Sequence, residues 1–267
     1  MNRQGVIMPK KKLKDVQSER DHRRIPIDKV GVKDIRYPIV VLDRKNKFQH
    51  TVASINMYVD LPHQFKGTHM SRFVEILNEH RGELSVRNFP QILKKMKKRL
   101  ISSTAHLEVE FPYFVEKSAP VSDSKGLMEY RCRYRGTLGA EKDFMLEVEV
   151  PVCTLCPCSK EISERGAHNQ RGVVKVSVRF KGFVWLEDLI AAVESSASSP
   201  VYSLLKRVDE KYVTERAYDN PMFVEDMVRE VAINLGRIKK LKWLRVEAEN
   251  WESIHNHSAY AFLEQTL

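Results

Sequence analysis

Long apolar runs are missing from this chain of 267 residues. No stretch approaches the roughly 18 consecutive apolar side chains that a membrane-spanning helix needs, so no membrane partner is expected. No apolar segment follows the basic opening MNRQGVIMPKKKLKD, which therefore does not read as a secretory signal. Glycine is sparse at 11 residues, which excludes a collagen-like chain. Disorder is a poor reading too, because 42% of the residues are hydrophobic and 30% charged. Only four cysteines are present, and Cys153, Cys156 and Cys158 fall within six residues. Neighbours that close seldom pair as structural disulfides, and without an export signal clustered thiols point to metal binding or reactivity. The expected compartment is the cytoplasm.

Charge is plentiful and uneven. The net charge is +10, and residues 1–36 carry +6 of it through eleven Lys and Arg against five acids. Residues 1–30 read as a basic arm, either solvated or able to bind a polyanion. Nucleic acid is an unfavoured partner, because no basic strand interleaved with aromatics and no reading helix follows.

Beyond the arm, alternation and helical periodicity predict a repeating element order. Residues 37–42 and 48–59 read as strands joined by the turn Asp43–Asn46. Helices follow at 71–81 and 89–101, the second with Asn88 as N-cap and Pro90 in its first turn. Strands at 105–114 and 128–135 alternate apolar with charged residues, as in a half-buried antiparallel sheet. The second half begins with strands at 143–150 and 173–181. Helices come next at 186–197, 200–212 and after Asn220-Pro221, with Gly236 past the last one's end. Strands at 241–249 and 254–264 close the chain. The class is α+β: two tandem ββααββ modules, residues 31–140 and 141–267, each a four-stranded antiparallel sheet with helices on one face.

The chemistry concentrates in Pro151–Gly172, PVCTLCPCSKEISERGAHNQRG, which reads as a loop of about twenty residues between two strands. Loops that long are usually functional. Thiolate and imidazole are good ligands for zinc and similar metals. The spacing C-x2-C-x-C matches no four-ligand zinc knuckle, and an iron–sulfur cluster would need a further thiolate near the loop. A metal site and a metal-free reactive thiol at Cys156 both stand on spacing alone. His255 and His257 are two apart in a predicted strand and so share a face.

LCPCSKEIS…GAHNQRG, KGTHMSRF (66–73), DNPMFVEDMVRE (219–230) and ESIHNHSAY (252–260) together resemble the type IB GTP cyclohydrolase I family, over nearly the whole chain from about residue 20. The resemblance implies a tunnelling fold, a homotetramer with active sites between subunits, and conversion of GTP and water to 7,8-dihydroneopterin triphosphate and formate at the entry to folate synthesis. It implies Cys156, His168 and Glu210 as ligands of one divalent metal (zinc, iron(II) or manganese), with Cys156 also catalytic. It implies Glu225 as the guanine anchor and His255 as the imidazole at the reaction centre. Lys160, Arg165, Arg171 and Lys175 lie near the motif as candidates for the triphosphate. Three rivals remain: a relative that makes the 2′,3′-cyclic phosphate from GTP, a nitrile reductase of the same fold, and a metal-stabilised nucleic-acid-binding protein.

Overall fold

The computed structural model describes residues 14–80 and 84–267. Residues 1–13 of the basic arm, and Arg81 at the end of the first predicted helix, lie outside the described residues. The chain opens with β1 (Ile27–Asp43), β2 (Lys47–Leu61), α1 (Met70–Glu79), α2 (Phe89–Leu100), β3 (Ala105–Ser118) and β4 (Lys125–Leu138). It continues through β5 (Lys142–Leu155), α3 (Pro157–Ile162), β6 (Asn169–Phe180), α4 (Leu186–Ser196), the two-residue β7 (Ser199–Pro200), α5 (Arg207–Asp219), α6 (Val224–Gly236), β8 (Leu241–Trp251) and β9 (Ser258–Thr266). Among the described residues no helix is long and apolar enough to cross a membrane.

All pairings are antiparallel. Two separate four-stranded sheets were expected. Instead β4 pairs with β5, and one sheet runs β1-β2-β3-β4-β5-β6-β8-β9, with β7 on β5. Register makes the two faces chemically distinct. Ile55, Val109, Tyr134, Leu146, Val178 and Leu244 stand opposite one another across six strands, all buried. Helix residues such as Phe73, Ile92, Leu189 and Val231 join them in one core, so the helices cover this face.

One residue along, the register reads Glu110, Arg133, Glu147, Ser177, Arg245 and Glu264. That face is laced with ion pairs, including Arg133 with Glu110 and Glu147, and Arg245 with Glu264 at 3.1 Å. The strict alternation of apolar and charged side chains thus sends each class to its own side of the pleat.

At the β4–β5 seam, Phe89 of α2 meets Phe144 edge-on at 5.1 Å, and Phe111 meets Tyr134 at 4.9 Å. Gly136 makes this packing possible, since a Cβ there would lie 2.5 Å from the Phe89 ring.

Several local expectations change. The twenty-residue loop shrinks to thirteen residues, 156–168, because β5 runs on to Leu155, β6 starts at Asn169, and α3 fills part of the remainder. The helix expected over 200–212 is α5, displaced to Arg207–Asp219 and preceded by β7. Asn88 occupies the N-cap of α2, but its Oδ1 accepts from Ser85 N–H at 2.9 Å rather than from the helix. Gly236 is the last residue of α6 instead of lying past it. His255 and His257 sit in a bend between β8 and β9, not in a strand.

Candidate active site

The end of β5 is tied down on two sides. Leu155 N–H donates to Ser198 Oγ at 3.2 Å, and Leu155 C=O accepts from Met222 N–H at 3.0 Å. The second bond brings the start of α6 beside residue 156, across 67 positions of sequence. Pro157 then opens α3, with Cys156 as its N-cap.

A hydrogen-bond circuit closes the loop. Cys156 N–H donates to His168 C=O at 3.1 Å. His168 N–H donates to Ser159 Oγ at 3.2 Å, and that hydroxyl donates to Cys156 C=O at 3.1 Å. Ser159 N–H also donates to Cys156 Sγ at 3.4 Å. Ser159 therefore holds both backbones that carry the candidate ligands. Sequence spacing did not single it out, although it stands inside LCPCS.

The remaining cysteines divide by exposure. Cys132 is buried and Cys153 half-buried, and burial pushes both thiols up in pKa, consistent with packing roles. Cys158 is exposed.

The His168 ring is largely buried, and its Nδ1 lies 3.8 Å from Glu252 Oε2. Glu225 stands in the first turn of α6. The helix start is capped by its neighbour, because Asp226 Oδ2 accepts from Phe223 N–H at 3.1 Å. No hydrogen bond or ion pair among the described residues engages Glu225, so a helix-capping role does not account for it. His255 and His257 are exposed, with rings stacked at 5.0 Å and 15°.

Glu210 lies in the first turn of α5 and is exposed. No hydrogen bond or ion pair links it to Cys156 or His168. Among the described residues no group of three His, Cys, Asp or Glu side chains is close enough to hold a metal ion. The fold thus brings Cys156 and His168 together and leaves Glu210 apart.

Of the candidate cations, Lys160 is already used. Its Nζ donates to Tyr218 C=O at 2.6 Å and lies over the Tyr218 ring. Lys175 is on the charged sheet face, 3.7 Å from both Glu147 and Glu247. The side chains of Arg165 and Arg171 are exposed and make no hydrogen bond or ion pair among the described residues.

Comparison with known proteins shows which family the chain belongs to. A family model described as type I GTP cyclohydrolase folE2 matches residues 13–261. The chain belongs to this family. It is 66% identical over 252 residues to GTP cyclohydrolase FolE2 of Syntrophotalea carbinolica, covering 94% of this chain and 95% of that one. It is 61% identical over 253 residues to GTP cyclohydrolase FolE2 of Geobacter sulfurreducens, covering 95% and 98%. Among solved structures, uricase from Arthrobacter globiformis superposes with a TM-score of 0.52 at 8% identity, covering 90% of this chain and 93% of that one. A uricase from Bacillus fastidious gives 0.53 at 7%, covering 89% and 92%. At such identity the uricases share a fold with the folE2 chain and nothing further is carried across. The family match agrees with the resemblance of LCPCSK, GAHNQRG and ESIHNHSAY.

Proposed function

We propose that this chain is a metal-dependent GTP cyclohydrolase I, which hydrolyses GTP with water to 7,8-dihydroneopterin triphosphate and formate at the entry to folate synthesis. The observation that carries this reading is identity above 60% with GTP cyclohydrolase FolE2 over almost the full length of both chains.

Cys156 and His168 fit a metal in donor chemistry, and a backbone hydrogen bond holds the two residues side by side. Thiolate with imidazole suits zinc, and with a carboxylate the set also suits iron(II) or manganese. Nδ1 of His168 is buried and has no hydrogen-bond partner among the described residues. Glu210 is the third ligand that the family resemblance implies, although among the described residues it makes no contact with the Cys156–His168 pair. These residues would hold the metal, which when bound would supply activation of water as a nucleophile at neutral pH.

The chain's own residues do the rest. Glu225, free of other bonds, presents two carboxylate oxygens to the adjacent N–H donors of the guanine edge. That anchoring aligns C8 and supplies positioning. His255 delivers a proton to the ring nitrogen beside C8 as the ring opens, since imidazole moves protons near neutral pH. Arg165 in the loop and Arg171 in β6, whose side chains make no hydrogen bond or ion pair among the described residues, are the proposed cations for the triphosphate.

The repeated element order supports a reading as two tunnelling-fold modules, residues 31–140 and 141–267. Among the described residues the sheet's outer strands, β1 and β9, are each paired on one side only, which supports assembly into a homotetramer with sites between subunits.

Stripped protein reloaded with zinc, iron(II) or manganese and given GTP tests the reading. The expected products are formate and a pterin of the mass of the linear triphosphate. A cyclic phosphate product, or no turnover with any of the metals, overturns it.

A further inference from the structure

Glu252 is one residue past the end of β8, in the segment that leads to His255. Its side chain is 14% exposed and that of His168 is 15%, with 3.8 Å between Oε2 and Nδ1. Nδ1 is buried and has no hydrogen-bond partner among the described residues. Register explains the meeting. Gly172 faces Asn250 and Arg171 faces Trp251 across β6 and β8. Continued one step, that register sets residue 252 level with Gln170, two residues along the chain from His168.

The surroundings form a polar layer inside an otherwise apolar face. Asn250 is 1% exposed and Gln170 6%. Both polar atoms of the Asn250 amide and Oε1 of Gln170 lack hydrogen-bond partners among the described residues. Gly172 makes room for that amide, since a Cβ there would lie 2.2 Å from Asn250 Oδ1. Buried polar atoms are costly to leave unpaired, so a run of them ending at His168 marks a place built to hold a group.

The backbone circuit through Ser159 fixes the chain at His168 but not its ring. A neutral imidazole that binds a metal through Nε2 carries its proton on Nδ1, and that proton needs an acceptor. Glu252 is the carboxylate in place to accept it.

We propose that Glu252 is a positioning residue for His168. It accepts the Nδ1–H, fixes the tautomer and turns Nε2 toward the metal. This rests on the metal-dependent reading above. The contact also couples two loops, because Glu252 and His255 share one short segment.

The test uses the full chain, freed of metal. Zinc affinity is measured by chelator competition for wild type, Glu252→Ala, Glu252→Gln and His168→Ala. The His168 tautomer is read by imidazole nitrogen NMR at a pH where the ring is neutral. Wild type is expected to hold the Nδ1–H tautomer. Glu252→Ala should mix the tautomers and weaken zinc binding about 10- to 100-fold, the usual cost of losing an outer partner. Glu252→Gln keeps an acceptor oxygen and should retain the tautomer and most of the affinity.

Unchanged tautomer and affinity in Glu252→Ala, with zinc lost in His168→Ala, overturns the proposal and leaves the metal reading standing. Glu252→Gln losing zinc as fully as His168→Ala makes Glu252 a ligand and also overturns it. Undiminished zinc binding in His168→Ala removes the metal reading, and the proposal goes with it.

Discussion

Adjacent carboxylates divide their work at two helix starts. On α5, Asp209 is fully buried while Glu210 faces out. Asp209 accepts from Ser122 Oγ at 2.6 Å and from the backbone N–H groups of Val121, Ser122 and Lys206 at 2.8 to 2.9 Å. Burial alone would raise its pKa, but these donors outweigh burial and hold it well below the usual carboxylate range. A folded-state pKa below the unfolded one adds stability that is complete above the unfolded value near 4 and fades as pH falls through the folded one. Asp209→Asn is therefore expected to lower the denaturation midpoint at pH 7, with the gap from wild type narrowing below about pH 4. A gap independent of pH in urea titrations would count against this account. On α6 the same division leaves Glu225 free while Asp226 caps. Glu225→Ala should weaken GTP binding about 100-fold, the scale of two lost charge-assisted hydrogen bonds. Its bound metal, by elemental analysis, should match wild type. Cys156→Ala and His168→Ala should lose metal and turnover together.

Elements were legible where side chains alternate cleanly and obscure where polar residues are buried. Leu107, Val109 and Phe111 of β3 announce their face, and the structure buries all three. Thr154 and Gln170, paired across β5 and β6, are buried polar residues that interrupt the pattern, so both strand ends read as loop. His255 and His257 alternate as a strand would, yet the chain bends there and stacks the two rings. Cys156 and His168 could be matched by motif. Their clamp by Ser159, the Leu155–Met222 bond and the approach of Glu252 depend on tertiary register, which spacing does not encode. Packing between elements is testable at Gly136. The Phe89 ring that an added Cβ would strike is fully buried and wedged against Phe144 and Tyr134, so it has little room to swing. Gly136→Ala should overpack the seam and cost about 1–3 kcal/mol in urea unfolding. A neutral result would mean that α2 shifts freely over β4.

At the scale of the molecule, two modules are written in element order, yet one sheet and one core join them. β4 and β5 pair over eight register positions, Arg131↔Glu149 to Leu138↔Lys142. The ring cluster of Phe89, Tyr134, Phe144 and Phe180 draws on both halves. Opening that seam would expose buried aromatic surface on each side, so neither half has a complete core without the other. The chain should accordingly unfold as one cooperative unit. Its tryptophans make this measurable, because Trp185, Trp243 and Trp251 all lie in the second half. Tryptophan fluorescence therefore follows residues 141–267, whereas far-ultraviolet circular dichroism follows both halves. In urea, at each of several protein concentrations, the two signals should trace one coincident transition. If dichroism instead retained a second step after the fluorescence change was complete, the first half would be standing alone, and the seam would be a contact between independent domains rather than part of a shared core.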